Sequence, residues 1–284
     1  MITRKRRAFK MNREFYIGEE GLSYCATCKE PVEVLLPQKV QTYLNMKTHP
    51  RQCACIRERN AREEKERKER EHKQTVETNT SVCFEERAMR EWNFANDNGK
   101  NQDMKFAKHY VEHWKELKKE GHGLILWGGV GSGKSYMAAC IANALLEQEE
   151  RVLMTNFATI INGMFSATEK IDYVNAICSY DLLIIDDLGV ESHSDYRMEG
   201  LFNVIDRRVR SGKPMIITTN LTIKEMDETQ DLSEARIYDR IRAVCQPVQV
   251  KGKSQRKAKR GQMMEAFRGF FNVERKEGSL DDRD

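Results

Sequence analysis

An α/β fold, with a parallel sheet flanked by helices and preceded by a small cysteine-bearing module, is predicted from three observations. The first is a glycine-rich loop, Gly128-x4-Gly133-Lys134-Ser135, placed between the apolar run 124–127 and a stretch in which Met137, Ala138, Ile141, Ala142, Leu145 and Leu146 have helical spacing. The second is a set of short, continuous apolar runs, at 152–155, 182–185 and 215–218, with one more near 247–250. Such runs fit strands covered on both faces. The third is a Cys25-x2-Cys28 pair and a Cys53-x-Cys55 pair ahead of a long charged segment.

The loop carries the most specific chemistry. Its glycines let backbone N–H groups turn around a phosphate chain, Lys134 reaches the β/γ-phosphates, and Ser135 ligates Mg²⁺. The helix that follows points its N-terminal dipole at the anion. This is a complete P-loop, and Gly128, Gly129, Val130, Gly131, Ser132, Gly133, Lys134, Ser135 and Tyr136 are the expected ATP-contacting residues. The 182–185 strand ends in Asp186-Asp187 at the same sheet edge. Asp186 is expected to hold Mg²⁺ through water and Asp187 to orient the attacking water. The 215–218 strand ends in Thr218-Thr219-Asn220, with Asn220 read as a sensor of the γ-phosphate or the nucleophilic water. Arg236 and Arg240 lie four apart on one helical face. On spacing alone they are surface arginines, solvated or paired with neighbours such as Asp239.

Gly128 to Ser135, Leu182 to Gly189, Ile217-Thr218-Thr219-Asn220, Arg236-Ile237-Tyr238-Asp239-Arg240 and Gly252-Lys253-Ser254-Gln255-Arg256 together resemble the AAA+ ATPases of the DnaC/DnaI helicase-loader family, phage-encoded members included. The resemblance covers roughly residues 83–256. It implies ATP hydrolysis, with Arg240 as an arginine finger acting on a neighbour's nucleotide and Arg256 as a sensor 2 arginine acting within its own subunit. It also implies self-association through the ATPase domain, contact with single-stranded DNA and delivery of a replicative hexameric helicase. Two features depart from the pattern: Asp187 stands where many AAA+ enzymes have Glu, and the chain continues past Arg256. The transposition-helper branch of the same ATPases shares the motifs, although the amino-terminal cysteine module favours the loader. A third reading is a zinc-dependent DNA-binding adaptor whose P-loop turns ATP over poorly.

Composition sets bounds on these readings. The 284 residues are 39% hydrophobic, enough for one sizeable α/β core and a smaller module. A net charge of +4 does not by itself argue for nucleic acid. A local basic cluster, Lys251, Lys253, Arg256, Lys257, Lys259 and Arg260, offers phosphate contacts and is equally explained as a solvated tail. Phe157, Phe165 and Lys170 offer aromatic and basic groups to unpaired bases, against the plainer reading that their apolar spacing belongs to the core. No run is long enough to span a membrane and the N-terminus lacks an apolar signal core, so the expected location is cytoplasmic.

Cys25, Cys28, Cys53 and Cys55 suit tetrahedral Zn²⁺, with His49 as a substitute for one thiolate and redox chemistry as the alternative. A module with so little apolar sequence needs its metal to fold. Cys140 and Cys178 sit among apolar neighbours and read as buried thiols. Residues 56–74 alternate charge and read as a solvent-bridging helix with pairs such as Glu63 to Arg67 and Glu66 to Arg70, or in part as a flexible linker. The polar stretch 75–81 reads as a break. Beyond it Phe106, Ala107, Tyr110, Val111, Trp114 and Leu117 form one helical apolar face. The resulting division is 1–55, a zinc-binding partner-docking module; 56–82, a charged linker; 83–260, the ATPase domain; and 261–284, a tail.

Overall fold

The computed structural model describes residues 15–97, 99, 101–189, 195–252, 263–268 and 270, and falls into two compact units, Met1–Lys73 and Gln74–Asp284. In the first, β1 (Phe15–Ile17) pairs antiparallel with β2 (Ser23–Cys25), and β3 (Glu33–Leu35) with β4 (Thr48–Pro50). Helix α1 (Gln38–Leu44) connects β3 to β4 and ends on Asn45 in the left-handed conformation. Among the described residues of this unit, Leu22, Cys25 and Cys53 are the buried apolar ones, too few to form a conventional core.

Helix α2 (Ala54–Cys83) starts in the first unit and ends in the second. It confirms the helical reading of 56–74 and corrects the expected break at 75–81, where the helix continues. The stretch holds no Gly or Pro, and each Thr, Asn or Ser costs only a few tenths of a kcal/mol in a helix. The last residue, Cys83, is fully buried, so tertiary packing holds the end that local propensity leaves weak. Of the two expected charge pairs, Glu66 to Arg70 forms and Glu63 to Arg67 does not. Arg67 bonds Glu64 and Glu71 rather than Glu63, while Glu63 pairs with Arg59 and Arg70 reaches Glu66 at 4.0 Å.

The second unit is built on a five-stranded, wholly parallel sheet. Its strands are β5 (Gly123–Trp127), β6 (Val152–Asn156), β7 (Leu182–Leu188), β8 (Met215–Thr219) and β9 (Cys245–Gln249), in the order β6-β7-β8-β5-β9. Their carboxyl ends therefore share one edge, where Trp127 stands beside Thr219 and Gln249, and Asn156 beside Asp186. Side chains alternate across the sheet, as strand geometry requires. Leu124, Leu126, Leu182, Ile184 and Ile216 enter one apolar cluster with α3 (Met104–Glu112) and α5 (Lys134–Leu146). Ile125, Leu183, Ile185, Met215 and Ile217 enter the other, with α6 (Phe157–Ser166), α7 (Lys170–Ser179), α8 (Asp195–Arg210) and α10 (Leu232–Val244). Short helix α9 (Ile223–Asp227) opens with a complete capping box between Thr222 and Glu225.

The single apolar helix expected near residue 110 is two, α3 and α4 (Trp114–Glu120), separated at His113. Ala107, Tyr110 and Trp114 are buried, but Phe106 is 47% exposed and lies outside the packed stripe. Cys140 and Cys178 are buried as expected. Phe157 belongs to the core, which removes it from the base-stacking set; Phe165 of the same segment is 59% exposed.

Candidate nucleotide site and four-thiol site

The P-loop runs from the end of β5 to the start of α5, at the carboxyl edge of the sheet. Gly128 has φ +150°, and a Cβ there would lie 2.4 Å from the carbonyl oxygen of Val250, so the turn admits no side chain. Gly252 is equally constrained, because its Cβ would meet the Ser132 carbonyl oxygen at 2.1 Å. The loop is thus clasped by the segment leaving β9. This clasp extends to α3, since Lys251 N–H donates to Asp103 Oδ2 at 2.7 Å.

Lys134 is buried, and its ammonium donates to Gly128 O at 3.0 Å, Gly129 O at 3.1 Å and Asn220 Oδ1 at 2.7 Å. From Asn220 the contacts continue. Its Nδ2 donates to Asp187 Oδ1 at 3.0 Å, Asp187 N–H donates to Thr218 Oγ1 at 2.8 Å, and Thr218 Oγ1 donates to Asp186 Oδ1 at 2.5 Å. Lys134, Asn220 and both acids of β7 are one hydrogen-bonded series, with Thr218 as the bridge. Asp187 holds φ +59°, at the irregularity where the β7–β8 register shifts. A non-glycine residue kept in that region is held by its surroundings, here through the Thr218 and Asn220 bonds.

The residues fit a Mg²⁺-nucleotide. Ser132 Oγ is buried with no hydrogen-bond partner, a donor within the loop that a phosphate oxygen would satisfy. Ser135 heads α5 beside Lys134, and Asp186 retains carboxylate oxygen for a hydrated cation. Tyr136 points elsewhere, its hydroxyl donating to Asn93 O at 3.1 Å and its ring 5.7 Å from Trp92, so it braces the segment before α3. Arg236 lies over the Phe202 ring at 4.3 Å, and Arg240 Nε is 3.5 Å from Asp206 Oδ1. Both arginines therefore face α8; the partner of Arg240 is Asp206 and not Asp239, and the side chain remains 45% exposed. Arg256, Lys253, Lys257, Lys259 and Arg260 lie outside the described residues.

A family profile described as IstB-like ATP binding protein matches residues 55–263, and the chain belongs to that family. Relatives include the replicative helicase loader DnaC of Escherichia coli, 34% identical over 149 residues, which make up 51% of this chain and 58% of that protein. The replicative helicase loader DnaI of Bacillus subtilis is 27% identical over 164 residues, 53% of this chain and 51% of that protein. The chain thus spans just over half the length of these relatives. A crystal structure of DnaI superposes with a TM-score of 0.51 at 25% identity, covering 62% of this chain and 98% of that one. The fold is that of the AAA+ P-loop ATPases, and the resemblance to DnaC and DnaI read from the motifs is shown.

In the first unit the Sγ atoms of Cys25, Cys28, Cys53 and Cys55 lie within 4.8 Å of one another. His49 is not part of the group. Cys25 ends β2, the turn to Cys28 closes through Lys29 N–H to Cys25 O at 2.8 Å, and Lys29 takes φ +59° to allow it. Cys53 O accepts from Ile56 and Arg57 N–H as α2 begins, and Glu30 fastens that end by accepting from Ala54 N–H at 2.7 Å. Backbone N–H groups of Cys28 and Thr27 hold the Cys25 thiol below its usual range, and those of Cys55 and Glu30 hold Cys28 at about 6. The neighbouring Cys28 sulfur and burial push Cys55 up to about 12. Four thiols in this space cannot all ionise without a cation, and a soft tetrahedral set of this kind fits Zn²⁺.

Two residues escaped the sequence reading. Thr218 looks like any strand threonine, and its bridging role depends on β7 and β8 being neighbours. Arg208, in a run of basic residues at the end of α8, is fully buried and donates to the carbonyls of Cys178, Tyr180, Asp181 and Pro214 at 2.5–3.2 Å. Burial pushes its guanidinium down to about 10. Nothing local distinguishes it from the exposed Arg210 two residues on.

Proposed function

We propose that the chain is an ATP-hydrolysing loader that delivers a replicative hexameric helicase to single-stranded DNA. The observation that carries this reading is the series Lys134–Asn220–Asp187–Thr218–Asp186, which ties nucleotide binding to the residues of hydrolysis in a chain homologous to DnaC and DnaI. Lys134 has three N–H donors. A γ-phosphate oxygen that takes one of them replaces a loop carbonyl or Asn220 Oδ1, and the donor Asn220 can offer the phosphate is the second N–H of its Nδ2, the first being held by Asp187. Ser135 and Asp186 would hold Mg²⁺, which would neutralise charge on the β- and γ-phosphates. Asp187 orients the water that attacks the γ-phosphorus, with Asn220 keeping one carboxylate oxygen fixed. The shorter reach of Asp compared with Glu supports slow turnover.

The 45% exposure of Arg240 supports a role across a subunit interface, where a planar, permanently charged guanidinium completes the neighbour's site. Arg256 is assigned to the same subunit's nucleotide. The four thiols would hold structural Zn²⁺, and in the same unit Tyr16, Ile17, Leu35 and Tyr43 are exposed apolar groups suited to docking a protein partner in the cytoplasm. For DNA, a cleft of about 800 Å³ brings Lys170, Arg207 and Arg210 beside Met164, Val174 and Asn203. Its cations supply phosphate contacts.

The test uses two variants and their mixture. Lys134→Ala abolishes tight ATP binding. Arg240→Ala binds ATP nearly normally but hydrolyses it roughly 10³-fold more slowly, the low end of the effect of such a group. Mixed oligomers of the two regain hydrolysis, because one subunit supplies a good P-loop and the other a good arginine. If mixed oligomers form and no ratio restores turnover, Arg240 is a structural partner of Asp206. A second reading, a transposition helper, is favoured by the IstB-like profile. Co-purification of a transposase in place of a replicative helicase decides for it.

A further inference from the structure

We propose that His109, Glu112 and His113, at the end of α3, form a second metal site that takes a first-row divalent transition cation such as Zn²⁺. Each of the three offers one ligand atom, and these atoms lie within 4.8 Å of one another. The i, i+3, i+4 spacing puts all three on one helical face. Two imidazoles and one carboxylate are an established zinc donor set that leaves a fourth position for water or another ligand. Imidazole also suits Ni²⁺ and Cu²⁺, whereas the hard cations Mg²⁺ and Ca²⁺ prefer all-oxygen sets.

Three further features prepare the site. His113 Nδ1 lies 3.0 Å from the carbonyl oxygen of His109, which can only accept, so Nδ1 carries the proton and Nε2 keeps the lone pair that binds metal. A backbone acceptor on the distal nitrogen is the usual orienting contact of a metal-ligating histidine. The carboxylate is already turned toward the first ring, Glu112 Oε2 standing 3.8 Å from His109 Nδ1, and the two rings lie 4.0 Å apart between centroids with their planes tilted by 46°. Finally, α3 ends at Glu112 with His113 as its cap, the negative end of that helix's dipole, while the same residue also caps the start of the short helix α4.

All three side chains are exposed, so a cation reaches them without disturbing the fold. The site is separate in sequence and chemistry from the four thiols. A bound ion would tie the last turn of α3 to the residue where α4 begins, just beyond Ala107, Tyr110 and Trp114, which pack in the apolar cluster shared with the P-loop helix α5. Its expected effect is to stiffen the α3–α4 junction.

The experiment is a zinc titration of the full chain in competition with a chelator, followed by metal analysis. Wild type is expected to bind two equivalents, one tightly and one more weakly. The double variant His109→Ala/His113→Ala should bind only the tight equivalent, and Glu112→Gln should bind the second more weakly than wild type. Cobalt substitution separates the sites, because only the thiol site shows thiolate-to-metal charge transfer. The histidine variant should keep that band and lose the additional ligand-field absorption. A single wild-type equivalent that shows thiolate-to-metal charge transfer, or a second equivalent unchanged in the histidine variant, would overturn the proposal, whereas a single equivalent lacking that band and lost in the histidine variant would overturn the thiol site instead. Both variants alter exposed side chains, and unchanged thermal unfolding in the presence of a chelator verifies their fold.

Discussion

The two units hold themselves together by different means. The ATPase unit buries alternate side chains of five parallel strands in two apolar clusters, with fully buried residues throughout β5, β7 and β8. The first unit has three-residue strands, buries Leu22 with two cysteines among its described residues, and leaves Ile17 77% and Tyr43 88% exposed. Packing supplies most of the stability in one. In the other, four converging sulfurs take the place of a core, and the apolar side chains remain on the surface. Under the proposed zinc assignment, a unit held from within by ligands can devote its apolar residues to a partner, whereas a unit held by packing cannot.

The comparison is broken most severely at Arg208. Arg208→Met removes the guanidinium that donates to the carbonyl oxygens of Cys178, Tyr180, Asp181 and Pro214, each costing about 1–3 kcal/mol when buried without a partner. The expected loss is a large share of the roughly 5–15 kcal/mol typical of a domain. Urea unfolding should show it in the ATPase unit alone, with zinc content unchanged. A smaller, functional effect is expected at Thr218. Thr218→Val keeps the buried shape but removes both bonds that align Asp186 and Asp187, and a hydrogen bond to a charged group is worth about 1.5–3 kcal/mol. Turnover should fall by roughly 10- to 100-fold with little change in Tm, and Thr218→Ser should restore most of it.

The smallest effect concerns the ion pairs of Lys118 with Glu150 and Asp181. Burial opposes ionisation of Asp181, but the Lys118 ammonium and the Arg151 N–H outweigh it and hold the carboxyl below its usual range. A depressed carboxyl pKa stabilises the fold above the unfolded value, about 3.9, and that contribution disappears as pH falls through the lower folded value. Asp181→Asn should therefore cost under about 1 kcal/mol at neutral pH, as partly exposed pairs do, and nothing in strong acid. Thermal unfolding of both proteins against pH checks it.

What was legible in the sequence followed from local rules. The P-loop could be read because its glycines serve one backbone shape, and the strands because burial on both faces leaves uninterrupted Leu and Ile. The expected strand at 247–250 was displaced by two residues, to Cys245–Gln249, where Cys245 and Pro247 pair with β5 despite a weak strand pattern. The continuation of α2 through 75–83 is not legible locally, because what holds it is the tertiary burial of its last residue, Cys83. The division of the apolar helix at His113 was missed for a similar reason: Tyr110 and Trp114 keep helical spacing across the break and both reach the core. Thr218 and Arg208 owe their roles to strand order and to carbonyls distant in sequence, which no local pattern encodes.

The central claim is that nucleotide chemistry and partner docking reside in separately stabilised units. The direct test is to measure zinc content, ATP affinity and binding of the replicative helicase on the full chain carrying Cys25→Ser and Cys28→Ser. The account predicts that the thiol-bound zinc and the helicase are lost together while ATP affinity stays within about a factor of two of wild type, well under the 1.4 kcal/mol that a tenfold change represents. ATP affinity that fell with the metal, or helicase binding that survived its loss, would contradict it.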